Sequence, residues 1–375
     1  MKILITSVGS LVGQNILDAL ESRRSMCTVI GVDASVESPR LYRCDRVYQV
    51  PRIEEFDHLS DTLLAIIEEE TPTLVLPGRD HDVVLLSTLR ERIPSLSSII
   101  PCGSSSMASL MQDKWLSFLF AKKYSLPFAS SFLYTNENEL DDLRNFAHIH
   151  GFPLVAKPRH GFGSGGIRFI VNFDQLILLA ARGPILVQEC LEPFFEYDGL
   201  AEDLALGVPL FFQIPERTQI ASQTIVGKDG SVSQIFSSFN RQLAGRCEYS
   251  EAISDDRLTK IGKDFASALF QEGWYGNVNI QLNKDREGNW KVFELNPRMT
   301  GSTSARLHLG YDEIGIIAKA FCPECTFPNL TTHLPPGVVR VVKSLTDYPV
   351  HISDMEELSL KGVWQRGERG KESTS

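Results

Sequence analysis

The chain has 375 residues and a formal net charge of −10, from 47 Asp and Glu against 37 Lys and Arg, which excludes a surface built mainly to hold nucleic acid. With 43% hydrophobic and 22% charged residues it has the composition of a soluble globular protein of about two or three domains. No apolar run is long enough to span a membrane, Met1–Ile5 starts a strand and not a signal peptide, and the seven cysteines lack dense spacing, so the cytoplasm is the expected compartment.

In chain order, residues 1–108 alternate short apolar runs with amphipathic stretches, the pattern of a doubly wound parallel sheet. Ile3–Ile5, Val29–Asp33 and Leu74–Gly78 are the predicted strands, with helices through Leu20 and from Leu63 to Glu70. Thr6–Gly13 is close to a dinucleotide fingerprint and Asp33 stands at about the distance of a ribose ligand, but Ser7 occupies the place of the first glycine, so a nicotinamide site is disfavoured. The mixed-charge loop Gly78–Asp82 follows a strand's carboxyl end, where open α/β sheets place ligands, and serves equally well as a charged cap on a helix from Val83 to Leu89.

Residues 109–125 suggest one helix with Lys114 near its start, and Leu140–His150 a second. A strand then ends at Lys157 and leads into Pro158–Gly166, where Gly161, Gly163, Gly165 and Gly166 surround Phe162 and Ser164. It is not a Walker A loop, because no G-x-x-x-x-G-K-[ST] occurs and a strand, Ile167–Val171, follows it. Closely spaced glycines let backbone N–H groups approach phosphate oxygens, and Lys157 supplies a point charge beside them. Ile185–Leu191 is another strand, with polar Gln188 and Glu189 near its end. A helix is predicted from Ser254 to Gly273 and another from Asp312 to Phe321. Cys322-Pro323-Glu324-Cys325 has no second pair at zinc spacing, so two ordinary thiols are expected.

The alternating runs Gly276–Leu282 and Val292–Asn296, separated by a turn-rich segment, form a predicted antiparallel hairpin. Asn277, Asn279 and Gln281 share one face of their strand, Gln281 falls roughly opposite residues 292–294, and one wall of the hairpin then carries Gln281, Glu294 and Asn296. Hard oxygen ligands with Arg298 just beyond them suit a small divalent cation and a polyphosphate.

On these residues the chain resembles the ATP-grasp superfamily, and within it proteins similar to the carbamoyl phosphate synthase large chain. The resemblance implies an α/β pre-ATP-grasp, Rossmann-like domain (1–108), an ATP-grasp α+β small subdomain with a glycine-rich lid (109–187), a large subdomain with the metal site (188–325), and a C-terminal extension ending in a disordered tail (326–375). It assigns Lys114 and Lys157 to the ATP phosphates, Gly161, Gly163, Ser164, Gly165 and Gly166 to the lid, Gln188, Glu189 and Leu191 to the adenine hinge, and Glu196 to the ribose. It makes Gln281, Glu294 and Asn296 the Mg²⁺ ligands, with Mn²⁺ as the alternative ion, and gives Lys157 and Arg298 catalytic roles on the transferred phosphoryl group. The implied activity is an ADP-forming carboxylate–amine ligase acting through an acylphosphate on small, amino-acid-like substrates, with no nucleic-acid or membrane partner and a homodimer left open. His160 and His81 are candidate bases. Competing expectations are a non-catalytic ATP-binding module and a phosphorylating enzyme of the carbamoyl phosphate synthase type; the single grasp module argues against the latter.

Overall fold

The computed structural model describes residues 1–136, 139–161, 165–191, 217–243, 246–325, 327, 340–344 and 348–367. Near-continuous apolar runs form a parallel sheet from β1 (Lys2–Ile5), β2 (Thr28–Asp33), β3 (Arg46–Gln49) and β4 (Leu74–Leu76), in the order β3-β2-β1-β4. Ile3–Ile5 and Leu74–Leu76 are fully buried, as strands covered on both faces must be. Helices α1 (Leu11–Leu20), α2 (Phe56–Glu70) and α3 (Asp80–Arg92) accompany this sheet. α3 starts three residues earlier than the apolar pattern suggests, because the Asp82 carboxylate accepts the Gly78 and Arg79 amides and closes the first turn.

The helix expected over 109–125 is two helices, α4 (Ser105–Gln112) and α5 (Lys114–Lys123). They break at Asp113, whose backbone is extended and whose carboxylate caps α5 by accepting the Trp115 and Leu116 amides at 2.9 and 3.2 Å. A four-stranded antiparallel sheet follows, from β5 (Ser131–Tyr134), β6 (Leu154–Lys157), β7 (Arg168–Ile170) and β8 (Ile185–Glu189) in the order β5-β8-β6-β7. α6 (Leu140–His150) and α7 (Phe173–Ala180) pack on it through Leu143 and Leu176, against Leu154 and Val187.

The largest sheet is antiparallel throughout: β9 (Arg217–Val226), β10 (Phe236–Leu243), β11 (Arg246–Ile253), β12 (Gly276–Lys284), β13 (Trp290–Asn296) and β14 (Arg340–Val342), in the order β13-β12-β9-β10-β11-β14. The amphipathic α8 (Asp256–Gln271) buries Leu258, Phe265 and Leu269 in the same core as Val278 and Ile280 of β12. That core continues into Leu4, Ile30 and Val75 of the parallel sheet, so the two sheets share one interior. α9 (Thr303–His308) and α10 (Glu313–Phe321) lie between them. Neighbouring acids at the start of α10 grip two fully buried arginines: Asp312 holds Arg23 at 2.6 Å and Glu313 holds Arg306 at 2.7 Å.

The described part of 326–375 divides between two sheets. β14 edges the large one, while α11 (Ile352–Lys361) leads to β15 (Val363–Gln365), which pairs antiparallel with β3 through Trp364↔Val47. Trp364 is buried edge-on against Tyr42, with ring centroids 5.2 Å apart. The tail of residues 368–375 lies outside the described residues. No helix among those described is long and apolar enough to cross a membrane.

Candidate active site

The alternation of β12 and β13 sets the register on which the site is built. Gln281 pairs with Glu294 and Asn279 with Asn296, and a bulge after Gln281 carries Leu282 to Val292. Gln281 and Glu294 therefore stand side by side on one face, with Asn296 two residues along. The half-buried Glu294 carboxylate makes no hydrogen bond or ion pair with any described residue. Asn296 is almost wholly buried; its Oδ1 accepts from Arg298 Nη2 at 3.2 Å, and its Nδ2 has no partner. Arg298 Nη2 also meets Asp80 Oδ2 at 2.8 Å, joining the hairpin's end to the first turn of α3, while its Nε is unpartnered.

Beside this group the buried amides continue. Asn279 and Gln223, which faces it on β9, have no exposed surface, and neither has a partner for its side-chain oxygen or nitrogen. Buried carboxamides without partners are costly in a folded protein. Asn279 and Gln223 are two such, and Asn296, with only its Oδ1 engaged, lies abreast of them beside the unpaired Glu294 carboxylate.

The opposite wall comes from the small sheet. Lys157 closes β6, is nearly fully buried, and crosses to the large sheet: its Nζ donates to Gln188 Oε1 at 2.7 Å and to the Phe293 carbonyl at 3.1 Å. Gln188 is fixed in turn by donating to Ser131 Oγ at 2.9 Å. Lys114, the first residue of α5, reaches the base of the glycine loop, with Nζ 2.9 Å from the Gly161 carbonyl. Arg159 and His160, at that base, lean on Asp113. Burial works against the Asp113 carboxylate, but the Arg159 guanidinium and the amides of Leu116 and Trp115 hold its pKa below the usual range. Gly161 and Gly166 take φ of 149° and 77°, in the left-handed region that favours glycine. Glu189 is committed to joining sheets, accepting Ser130 N–H at 2.6 Å and Lys291 Nζ at 2.8 Å.

These walls enclose one cleft of about 910 Å³. Lys114, Lys157, Gly161, Gly165, Gln188, Glu189, Leu191, Gln281, Glu294 and Arg298 all line it. Gly166 and Asn296 lie next to it without lining it, and Gly163, Ser164 and Glu196 fall outside the described residues. Its other end is formed by Ser10–Val12, Gly78–His81 and Thr300–Ser302. Asp80 as partner of Arg298, and Gln223 in the amide row, carried no sequence signal. Asn279 did, since it shares the polar face of Gln281. His81 and His160 are exposed, the former at the cleft.

Two further motifs are accounted for by packing. The Asp33 carboxylate accepts the Gly9 and Ser35 amides at 2.8 and 3.1 Å, which engages both its oxygens within the loop. Cys322 and Cys325 are free thiols; Cys322 Sγ donates to the Thr73 carbonyl at 2.9 Å, and burial pushes its pKa up to about 11.

Among the described residues no group of three or more His, Cys, Asp or Glu gathers at one point. The donors at Glu294 are one carboxylate and two carboxamide oxygens, a hard, weakly charged set that fits Mg²⁺ or Mn²⁺ completed by phosphate and water.

Residues 3–100 match the family described as PylC-like, N-terminal domain. No curated protein sequence matches the chain. Among solved structures, N5-carboxyaminoimidazole ribonucleotide synthetase in its ADP complex superposes with a TM-score of 0.60 at 17% identity, over 86% of this chain and 77% of that one. The L-amino acid ligase from Bacillus licheniformis gives 0.61 at 13% identity, over 85% and 74%. Biotin carboxylase from Campylobacter jejuni, bound to an ATP analogue, gives 0.62 at 15% identity, over 88% and 72%. The chain has the fold of the ATP-grasp ligases, and its residues 3–100 are similar to a PylC-like N-terminal domain.

Proposed function

We propose that the chain is an ATP-dependent carboxylate–amine ligase. The observation that carries this is the convergence of Lys114, Lys157, Gln281, Glu294 and Arg298, drawn from three separate segments, on a single cleft. A carboxylate attacks the γ-phosphoryl group of ATP, ADP leaves, and an amine displaces phosphate from the acylphosphate to give an amide. Such transfer needs neutralised charge and in-line positioning more than covalent help from the protein.

Lys114 and Lys157 grip the phosphates, and the glycine loop covers them. Lys157 is pre-set by Gln188 and the Phe293 carbonyl, so little reorganisation is required when its ammonium turns to a phosphate oxygen. Residues 188–191 hold adenine, with Glu196 assigned to the ribose. Gln281, Glu294 and Asn296 would hold Mg²⁺, which when bound neutralises phosphate charge. Arg298 offsets charge on the acylphosphate, and its ion pair with Asp80 keeps its fork turned toward the end of the cleft that receives the acid.

Acid and amine enter beside Gly78–His81 and Thr300–Ser302, and amino-acid-like substrates fit that end. The L-amino acid ligase similar in fold supports this choice. The test is an ADP-release screen against pairs of amino acids. ADP release that requires both members of a pair and is lost in Glu294→Gln is expected. A wild-type chain that fails to bind Mg-ATP in calorimetry, or releases ADP no faster than Glu294→Gln with every pair, would overturn the assignment.

A further inference from the structure

The end of the cleft formed by Ser10–Val12 and Thr300–Ser302 is secured from behind by a residue far along the chain. Lys343 follows β14, and its backbone N–H donates to the Glu248 carbonyl at 2.7 Å. Its ammonium donates both to the Gly301 carbonyl and to Asn15 Oδ1. Asn15 is buried within α1; its Oδ1 also accepts from Ser304 Oγ at 2.9 Å, and its Nδ2 donates to the Leu11 carbonyl at 2.9 Å. β14, α1, the 300–302 turn and α9 thus meet at one ammonium. The closeness is visible at Gly301, where an added Cβ would lie 3.1 Å from Leu11 Cδ2. Both residues line the cleft.

The chemistry of the contact is unusual for a structural lysine. Both acceptors are neutral, and among the described residues Lys343 forms no ion pair. Burial pushes its pKa down, with Cys247 and Asp18 acting in the other direction and Arg306 in the same one. A largely desolvated ammonium hydrogen-bonded only to neutral oxygens costs stability that an apolar side chain would not. What it supplies in return is direction: three rotatable donors on a long stem, able to fix two oxygens on separate elements at once.

We propose that Lys343 is a positioning residue, locking the Thr300–Ser302 turn onto α1 and so setting the width of the acceptor end of the cleft next to Arg298. What binds there rests on the ligase assignment above; the lock itself does not.

The experiment uses the full chain with Lys343→Met, Lys343→Arg and Asn15→Leu. Amide hydrogen exchange is followed over residues 9–15 and 299–304, Mg-ATP binding by calorimetry, and steady-state kinetics with an acid–amine pair from the ADP-release screen. Lys343→Met is expected to speed exchange at least tenfold in both segments while β12 and β13 keep wild-type protection. The KM of the acid or amine should rise at least tenfold with the ATP KM within twofold of wild type, and Lys343→Arg, which keeps donors, should recover part of it. Asn15→Leu should give the same split, and the double variant should be no worse than either single one. A lysine that merely stabilised the fold would loosen exchange everywhere and move both KM values together; that result, or unchanged exchange in both segments, overturns the proposal. If the wild-type chain binds no Mg-ATP or no pair releases ADP, the ligase assignment falls, and the exchange measurement alone decides the lock.

Discussion

Two glycine-bearing loops in this chain look alike as sequence and are built for opposite ends. Around the loop after β1, backbone fills the space: an added Cβ would lie 2.3 Å from the Val8 carbonyl oxygen at Gly13, in the first turn of α1, and 2.2 Å from the Thr6 carbonyl oxygen at Gly78, just beyond β4. In the loop after β6, an added Cβ at Gly161 meets nothing closer than Pro158 Cγ at 3.5 Å, and the backbone is left-handed. The first glycines let elements pack closely, whereas the second free the backbone where phosphate would approach. Spacing does not separate these roles; what each Cβ would strike does.

The contrast can be broken in four ways. The largest effect belongs to the hairpin facing the second loop. Glu294→Gln should lower ADP formation by about two to three orders of magnitude, the scale for losing one charge-stabilising contact, with far-UV circular dichroism unchanged. A rate within threefold of wild type at saturating magnesium would refute the metal assignment. Next, Lys157→Ala should weaken ATP binding by about 1–3 kcal/mol, read as a higher KM for ATP and a higher Kd in calorimetry.

Gly13→Ala acts on the first loop and should touch only stability. Forcing a methyl onto the Val8 carbonyl is expected to cost about 1–3 kcal/mol in urea unfolding, while the folded fraction keeps its ATP affinity. Lost nucleotide affinity in a stably folded Gly13→Ala would reverse the comparison. The smallest effect is at Asp113. Because its folded-state pKa is held below the unfolded value of about 3.9, its contribution to stability is complete above that value and fades as pH falls through the folded one. Asparagine is a good cap but gives Arg159 no counter-charge, so Asp113→Asn should flatten the acid side of the stability profile, seen by comparing urea midpoints at neutral pH and near pH 3.5.

The hairpin was legible because both of its strands alternate, and alternation fixes which side chains share a face; turn length brought Gln281 opposite residues 292–294, and the bulge after Gln281 sets the pairing with Glu294. The strand ending in Lys157 and the glycine loop that leaves it were legible because glycines cluster after an apolar run closed by a lysine. Asp113 was not, since the residues on either side of it both suit a helix and only a cap distinguishes a break from a surface aspartate. β3 and β15 are short, so Arg46–Gln49 and Val363–Gln365 carry little local signal. The contacts of Arg298 with Asp80 and of Lys343 with Asn15 span 218 and 328 residues, distances over which no periodicity speaks.

The pairing of β15 with β3 has a consequence for how the chain is made. Translation runs from β3 to β15 across more than three hundred residues, which at about 5–20 residues per second takes roughly 15–60 s. Whenever the parallel sheet stands without β15, its outer edge presents unpaired backbone donors and acceptors, a template for any other extended chain. Trp364 closes that edge from far along the chain, packing edge-on against Tyr42.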